Sequence, residues 1–200
     1  MLQKTLTAVS VALILGGCGM TPMELPKNVK TNKQGYGDVL STVSYEHTSP
    51  MQDDFSKAVF CVTEVVTNEE VVLTDTADSW VGSFSGNLYK NTDTQVVGGG
   101  NVLQYVDEKN QRLSARGSDE YSYVFGLAPI ENVVQFSISV TLDNGELKTK
   151  FSNIKRAQKS TGLSDNNGFT AVYTHSGAKP NLVVQMLESV HEGLISCYEG

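Results

Sequence analysis

The chain has 200 residues, with 15 Lys and Arg against 22 Asp and Glu, which leaves room for one ordinary domain. Apolar residues make up 40% and charged residues 18%, both below the globular average, so Ser, Thr, Asn, Gln and Gly fill the balance and point to β-structure and loops. A formal charge of −7 argues against the clustered Lys and Arg that grip phosphates, and nucleic acid is set aside as a partner.

Lys4, an apolar run from Leu6 to Leu15 and the small residues Gly16 and Gly17 stand directly before Cys18. A short basic start, an apolar stretch and small residues form the pattern of a cleaved export signal. Ten apolar positions span only about 15 Å as a helix, roughly half the hydrocarbon core, so the run is too short to stay as a spanning anchor. Leu15-Gly16-Gly17-Cys18 also resembles the lipobox of bacterial lipoproteins. The resemblance implies a signal peptide over residues 1–17, cleavage before Cys18, two acyl chains on the Cys18 sulfur and a third on the new amino group. Gly19 rather than Asp follows the cysteine, which by the same resemblance implies the outer membrane, with the domain facing the periplasm. Each buried methylene of an acyl chain contributes about 0.8 kcal/mol, so attachment needs no spanning helix.

Removal of Lys4 with the signal leaves 14 basic and 22 acidic residues, a mature charge of −8. Residues 18–46 contain Pro22, Pro26, Lys27, Lys30 and Lys33 with few apolar side chains, and read as a lipid anchor followed by a flexible tether. Such a segment spans roughly 30 Å end to end and would hold a domain of residues 47–200 clear of the lipid.

Ser49-Pro50-Met51-Gln52 has a capping Ser, Pro at the first helical position and Gln three residues after the Ser, the pattern of a helix start. Phe55, Ala58, Val59, Val62, Val65 and Val66 recur at spacings of three and four, which predicts an amphipathic helix over 50–67. Short β-prone runs separated by turns follow. Phe136, Ile138, Val140 and Leu142 alternate with polar residues up to Asn144-Gly145, a two-residue turn signal. Pairing Asp143 with Glu146 sets Leu142 opposite Leu147, Val140 opposite Thr149, Ile138 opposite Phe151 and Phe136 opposite Asn153, so the apolar faces coincide. Ser137, Ser139, Thr141, Lys148 and Lys150 then lie on the other face. A second hairpin joins 102–106 to 111–115, and Tyr121 to Phe125 and Phe169 to His175 read as further strands. Leu182, Val183, Met186, Leu187, Val190 and Leu194 mark a last helix over 181–194.

Two amphipathic helices and an antiparallel sheet with one polar face imply a two-layer α+β domain, the N-terminal and C-terminal helices packed on one face of the sheet. The order helix, sheet, helix, with the long hairpin and its Phe151-Ser152-Asn153-Ile154 exit, resembles a group of bacterial lipoprotein domains whose sheet is like that of the TATA-box-binding protein. That resemblance implies a fold and no activity. Cys61 and Cys197 remain an even pair in an exported chain and are expected to form a disulfide.

No chemistry-bearing motif survives inspection. Gly82-Ser83-Phe84-Ser85-Gly86 has Phe84 where a nucleophile elbow needs Ser and reads as a strand with small neighbours. Gly98-Gly99-Gly100 lacks the surroundings of a dinucleotide loop and reads as a turn. His47, His175 and His191 fall on three elements, and no metal site or cofactor is expected. Asp165-Asn166-Asn167-Gly168 reads as an Asx-rich turn rather than a calcium loop. Glu69-Glu70 and Asp119-Glu120 would serve as acid and base only if a cleft closed over them. Tyr121, Tyr123 and Phe125 share one strand face, either core or an adhesive stripe. The leading expectation is a non-enzymatic binding or assembly module. It is anchored to the membrane by lipid and offers Ser137, Ser139, Thr141, Lys148 and Lys150 to an envelope protein. The alternatives are an inhibitor-type lipoprotein acting through the loop from Arg156 to Gly168, and a hydrolase with a dispersed acid pair.

Overall fold

Strict alternation of apolar and polar residues builds the framework of the protein. The structure is a computed structural model and describes residues 21–49 and 54–200. The expected signal peptide, the expected lipidation site Cys18 and residues 50–53 lie outside the described residues. Strands β1 (Val29–Gln34) and β2 (Gly37–Thr48) form a hairpin, followed by helix α1 (Phe55–Val65). Next come β3 (Glu70–Asp75), β4 (Trp80–Val81), β5 (Leu88–Tyr89) and β6 (Asp93–Gly98). The long antiparallel strands are β7 (Leu103–Asp107), β8 (Arg112–Phe125), β9 (Ala128–Asp143) and β10 (Glu146–Gln158). The chain ends with β11 (Thr170–Ala171), a 3-10 turn and helix α2 (Pro180–Glu199).

The main sheet has the order β1-β2-β10-β9-β8-β7, with β11 paired to β10. Pairs β3-β6 and β4-β5 stand apart from it. The protein is therefore a mostly antiparallel α+β fold. The segment expected to be a tether is structured instead: β2 pairs with β10 from Thr48 opposite Glu146 to Ser152 opposite Thr42, and β1 closes that edge. Val43, Tyr45 and His47 alternate with Ser44 and Glu46, the period of a half-buried strand. That alternation outweighs the Pro and Lys content of the residues before it.

The Asn144-Gly145 hairpin forms in the expected register, with Leu147 opposite Leu142, Thr149 opposite Val140 and Phe151 opposite Ile138. Asn144 and Gly145 have φ values of 51° and 79°, as a tight hairpin turn of this kind requires. Phe136 opposite Asn153 does not form, because the register shifts between Ser152 and Lys155. Asn153 takes φ 52° and the resulting bulge turns Ile154 into the core, 4% exposed.

One large core takes in Val134, Phe136, Ile138, Val140, Leu147 and Phe151 from the sheet together with Ala58 and Val62 of α1 and Val183 and Leu187 of α2. A second, smaller core joins Val71 and Leu73 of β3 to Val133 and Ala157. Period-2 alternation puts Val133 on the face opposite Val134. The second face of the sheet is therefore polar only in part: in its far half Val133 and Ala157 are buried against Val71 and Leu73 of β3, with Val97 of β6 packed alongside. This small third layer departs from the two-layer expectation. Gly117 is where α1 meets β8: a Cβ there would lie 2.5 Å from Val66 Cγ1 and 2.9 Å from Phe136 Cε2.

Helix boundaries also move. Asp54, not Ser49, caps α1, its carboxylate accepting from the Lys57 N–H at 3.0 Å. Ser49 N–H instead donates to the Gly145 carbonyl at 2.8 Å, extending the hairpin pairing beyond β2. Helix α2 runs to Glu199, so Cys197 sits within it rather than past its end. Among the described residues no helix is long and apolar enough to cross a membrane.

Candidate functional site

The uncovered half of the second sheet face assembles from four strands. Lys150 lies opposite Ser139 and Lys148 opposite Thr141, with Ser152 opposite Ser137. On the far side Arg112 lies opposite Thr141, Ser114 opposite Ser139 and Arg116 opposite Ser137. Strand β2 adds Glu46 beside Lys148 and Ser44 beside Lys150. All five residues expected on this face are thus brought together, and the pairing adds Arg112 and Arg116, which sequence reasoning missed. The run Arg112-Leu113-Ser114-Ala115-Arg116 carries the signal, since Leu113 and Ala115 are buried at 2% and 1% and every second residue must point away from them.

Four cations stand on Ser and Thr ground here, interleaved with the carboxylates of Glu46, Asp107, Asp143 and Glu146, so the face carries both signs. Lys148 Nζ donates to Glu146 at 2.8 Å, and that hydrogen bond raises the ammonium pKa above its ordinary value. Arg112 Nε donates to Asp107 at 3.0 Å. Asn110 and, to a smaller degree, Arg112 hold the Asp107 carboxyl below the usual range. Among the described residues neither Lys150 nor Arg116 makes an ion pair. Both are exposed. Asn153 Nδ2 donates to Ser137 Oγ at 3.1 Å, which ties the β10 bulge to the edge of the same surface.

The two acidic pairs meet elsewhere. Glu69 and Glu70 from the start of β3 face Asp119 and Glu120 of β8 across a groove of about 510 Å³ that also holds Thr67, Ser118 and Lys159. Lys159 is ion-paired to Glu120. Glu69, Glu70 and Glu120 are exposed, so water rather than protein surrounds their carboxylates.

The histidines are less scattered than their positions in the chain suggest. His191 of α2 is 8% exposed, stacks on Tyr45 with ring centroids 4.7 Å apart, and shares a hydrogen bond with Thr149 Oγ1 at 3.2 Å. Burial, helped by nearby His47, lowers its pKa to about 4. Tyr45 Oη donates to the Val184 carbonyl at 3.3 Å, and burial together with Glu188 raises its pKa to about 12. His47 Nε2 meets Glu199 at 2.7 Å. This cluster ties β2 to α2. Among the described residues no group of three metal-ligating side chains forms.

The loop from Arg156 to Gly168 is anchored at both ends, with residues 162–165 exposed between them. Arg156 and Gln158 belong to β10, and Arg156 Nη1 donates to the Ala178 carbonyl at 2.6 Å. Asn166 staples the remainder: its N–H donates to Asp75 at 2.9 Å and its side chain to the carbonyls of Thr74 and Gln158. Gly82 to Gly86 forms the turn between β4 and β5, not a strand. Tyr121 and Tyr123 are half-buried while Phe125, on the same face, is 74% exposed. The stripe is thus core at one end and open at the other.

No protein-family model matches the chain, and no curated protein matches it. Among solved structures, it is similar to a DUF4468 family protein from Bacteroides ovatus, at 11% identity and a TM-score of 0.42, covering 81% of this chain and 86% of that one.

Proposed function

We propose that the protein is a bacterial envelope lipoprotein that acts without catalysis, binding or assembling with a protein partner through the open half of its polar sheet face. The observation that carries this reading is the joint placement of Arg112, Arg116, Lys148 and Lys150 among Ser137, Ser139 and Thr141, in a chain of net charge −7. On an otherwise acidic molecule, a rigid sheet that leaves Lys150 and Arg116 exposed without an ion pair fits carboxylates on a protein partner, because complementary charge speeds encounter and selects the partner. In this reading both helices cover the opposite, apolar face. Support comes from the single core shared by α1, α2 and the inward-facing residues of the sheet, and from the Cys61–Cys197 disulfide between the helices.

Lipid attachment at Cys18 and residence in the outer membrane, facing the periplasm, belong to the same proposal. They rest on Leu15-Gly16-Gly17-Cys18 and on Gly19. The hydrolase alternative has the acidic groove in its favour, since it gathers Glu69, Glu70, Asp119 and Glu120. It ranks second because a general acid working near neutral pH needs a carboxyl sheltered from water, and three of the four are exposed.

The test is crosslinking in intact membranes followed by purification of the chain carrying Lys148→Glu and Lys150→Glu. Capture of an acidic partner by the native chain, lost in this variant at an unchanged melting temperature, is the expected result. Equal capture by both chains overturns the proposal, and hydrolytic activity abolished by Glu70→Gln and Glu120→Gln would put the groove in its place.

A further inference from the structure

We infer that one end of the sheet is a lipid-docking surface, on which the domain stands against the membrane that holds its anchor. The inference rests on the lipoprotein reading above and adds to it the orientation of the domain. Strand pairing brings three turns to this end. The β8-β9 turn lies beyond the last residue of β10, because Gln158 pairs with Asn132 while β9 starts at Ala128. The β1-β2 turn at Gly35-Tyr36 lies there too, since β2 runs antiparallel to β10 and starts at Gly37. Strand β3 runs parallel to the chain leaving β10, with Thr74 bridged to Ser160, so it delivers the chain to this end, where the β4-β5 hairpin follows after a turn at residues 76–79.

These turns are uncharged and apolar. Residues 121–130 and 79–89 contain no Asp, Glu, Lys or Arg. Phe125 is 74% exposed, Leu127 103%, Tyr36 107%, Trp80 58% and Phe84 106%. Large apolar side chains clustered in the open mark a surface that something covers. Trp and Tyr are also the residues favoured at the headgroup level of a bilayer. Lys179 reinforces the pattern, its Nζ 6.0 Å from the Tyr123 ring centroid, where a cation can reach phosphate.

The start of the described chain selects lipid over a protein as the occupant. Pro22 bridges to His175 and Ser176 N–H donates to the Thr21 carbonyl. Pro22, Tyr36, Gly37 and His175 line one cavity of about 450 Å³, so the chain enters the domain beside the β1-β2 turn. Cys18 precedes Thr21 by three residues, a reach of at most about 11 Å. Acyl chains on Cys18 would therefore enter the bilayer next to this end. Depths of 5–10 Å are typical for apolar groups seated at such an interface, within the size of one hairpin turn. With the strands upright, the polar face stands across the membrane plane and meets partners sideways.

Trp80 is the single tryptophan and reports on the docking directly. The full chain is purified from membranes and placed in vesicles of phosphatidylethanolamine and phosphatidylglycerol, and the N-terminal peptide is weighed by mass spectrometry. An unacylated Cys18 removes the lipoprotein reading itself and with it this inference. For a chain acylated at Cys18 and floating with vesicles, Trp80 emission is expected to shift to the blue, to be quenched by lipids brominated near the headgroup end of their acyl chains, and to be shielded from iodide. Leu127→Trp in a Trp80→Phe background moves the reporter to the β8-β9 turn at a fully exposed position and is expected to behave alike. An acylated, vesicle-bound chain whose Trp80 emission stays unshifted and insensitive to brominated lipid overturns the inference. A blue shift that instead grows with protein concentration in the lipid-free Cys18→Ser chain overturns it as well, since a second copy would then cover this end.

Discussion

Cys61 of α1 and Cys197 of α2 are joined by a disulfide, with Cα atoms 5.6 Å apart at a sequence separation of 136. Cys61 is 1% exposed and packs in the main core. The bond closes nearly the whole domain into a loop, and the chain-entropy model puts its contribution at up to about 5 kcal/mol, less whatever structure the unfolded chain retains. Replacing both residues by Ala is expected to lower the melting temperature markedly, as read by thermal unfolding at neutral pH. Alkylation of the unfolded, unreduced native chain should label neither cysteine; labelling of both would contradict the bond.

The hairpin register makes a sharper demand on neighbouring residues. Ile138 is 0% exposed opposite Phe151, whereas Ser139, one residue on, is exposed beside Lys150. Ile138→Asp buries a charge without a partner and should cost several kcal/mol in denaturant unfolding, while Ser139→Asp should cost little. Equal losses from the two would contradict the alternation.

The parts of this fold legible in the sequence were those fixed by neighbouring residues. Asn144-Gly145 dictates its turn, and matched apolar faces on either side leave one register. The cysteine pair followed from an even count in a chain whose first residues read as an export signal. Strand β1 was illegible for the opposite reason. It is an edge strand whose residues are nearly all exposed, held by backbone pairing to β2, so apolar periodicity carries no trace of it. The bulge at Asn153 was hidden because its advantage, burial of Ile154, depends on a core assembled from distant segments. The same distance concealed the acidic groove, whose two halves are separated by about fifty residues, and the placement of Arg116 beside Ser137.

Gly117 illustrates a constraint that only packing reveals. It sits in the middle of β8, where glycine weakens a strand, yet α1 ends directly against it through Val66. Gly117→Val is expected to destabilise the protein by about 1–3 kcal/mol through overpacking, since both nearest neighbours, Val66 and Phe136, are buried. Denaturant midpoints checked against Gly86→Val separate this from a glycine effect on the backbone: Gly86 has no heavy atom within 4 Å of an added Cβ but takes φ 68°, so its cost is conformational and independent of the core. A companion Val66→Ala should recover part of the loss at Gly117 and none at Gly86.

The cluster of Tyr45, Thr149 and His191 predicts how stability responds to acid. His191 has an ordinary pKa of 6.5 and one of about 4 in the folded protein, chiefly because burial disfavours the imidazolium. Between those values the unfolded chain takes up a proton that the folded one refuses. Acid therefore favours unfolding: the stabilising contribution is complete above pH 6.5 and is lost as the pH falls towards 4. The nearby His47 charge acts in the same direction. Unfolding free energies measured at pH 7 and pH 5 should differ more for the native chain than for His191→Gln, which keeps a polar group near Thr149 and cannot titrate. An identical difference in the two proteins would mean that His191 is not held neutral by the fold.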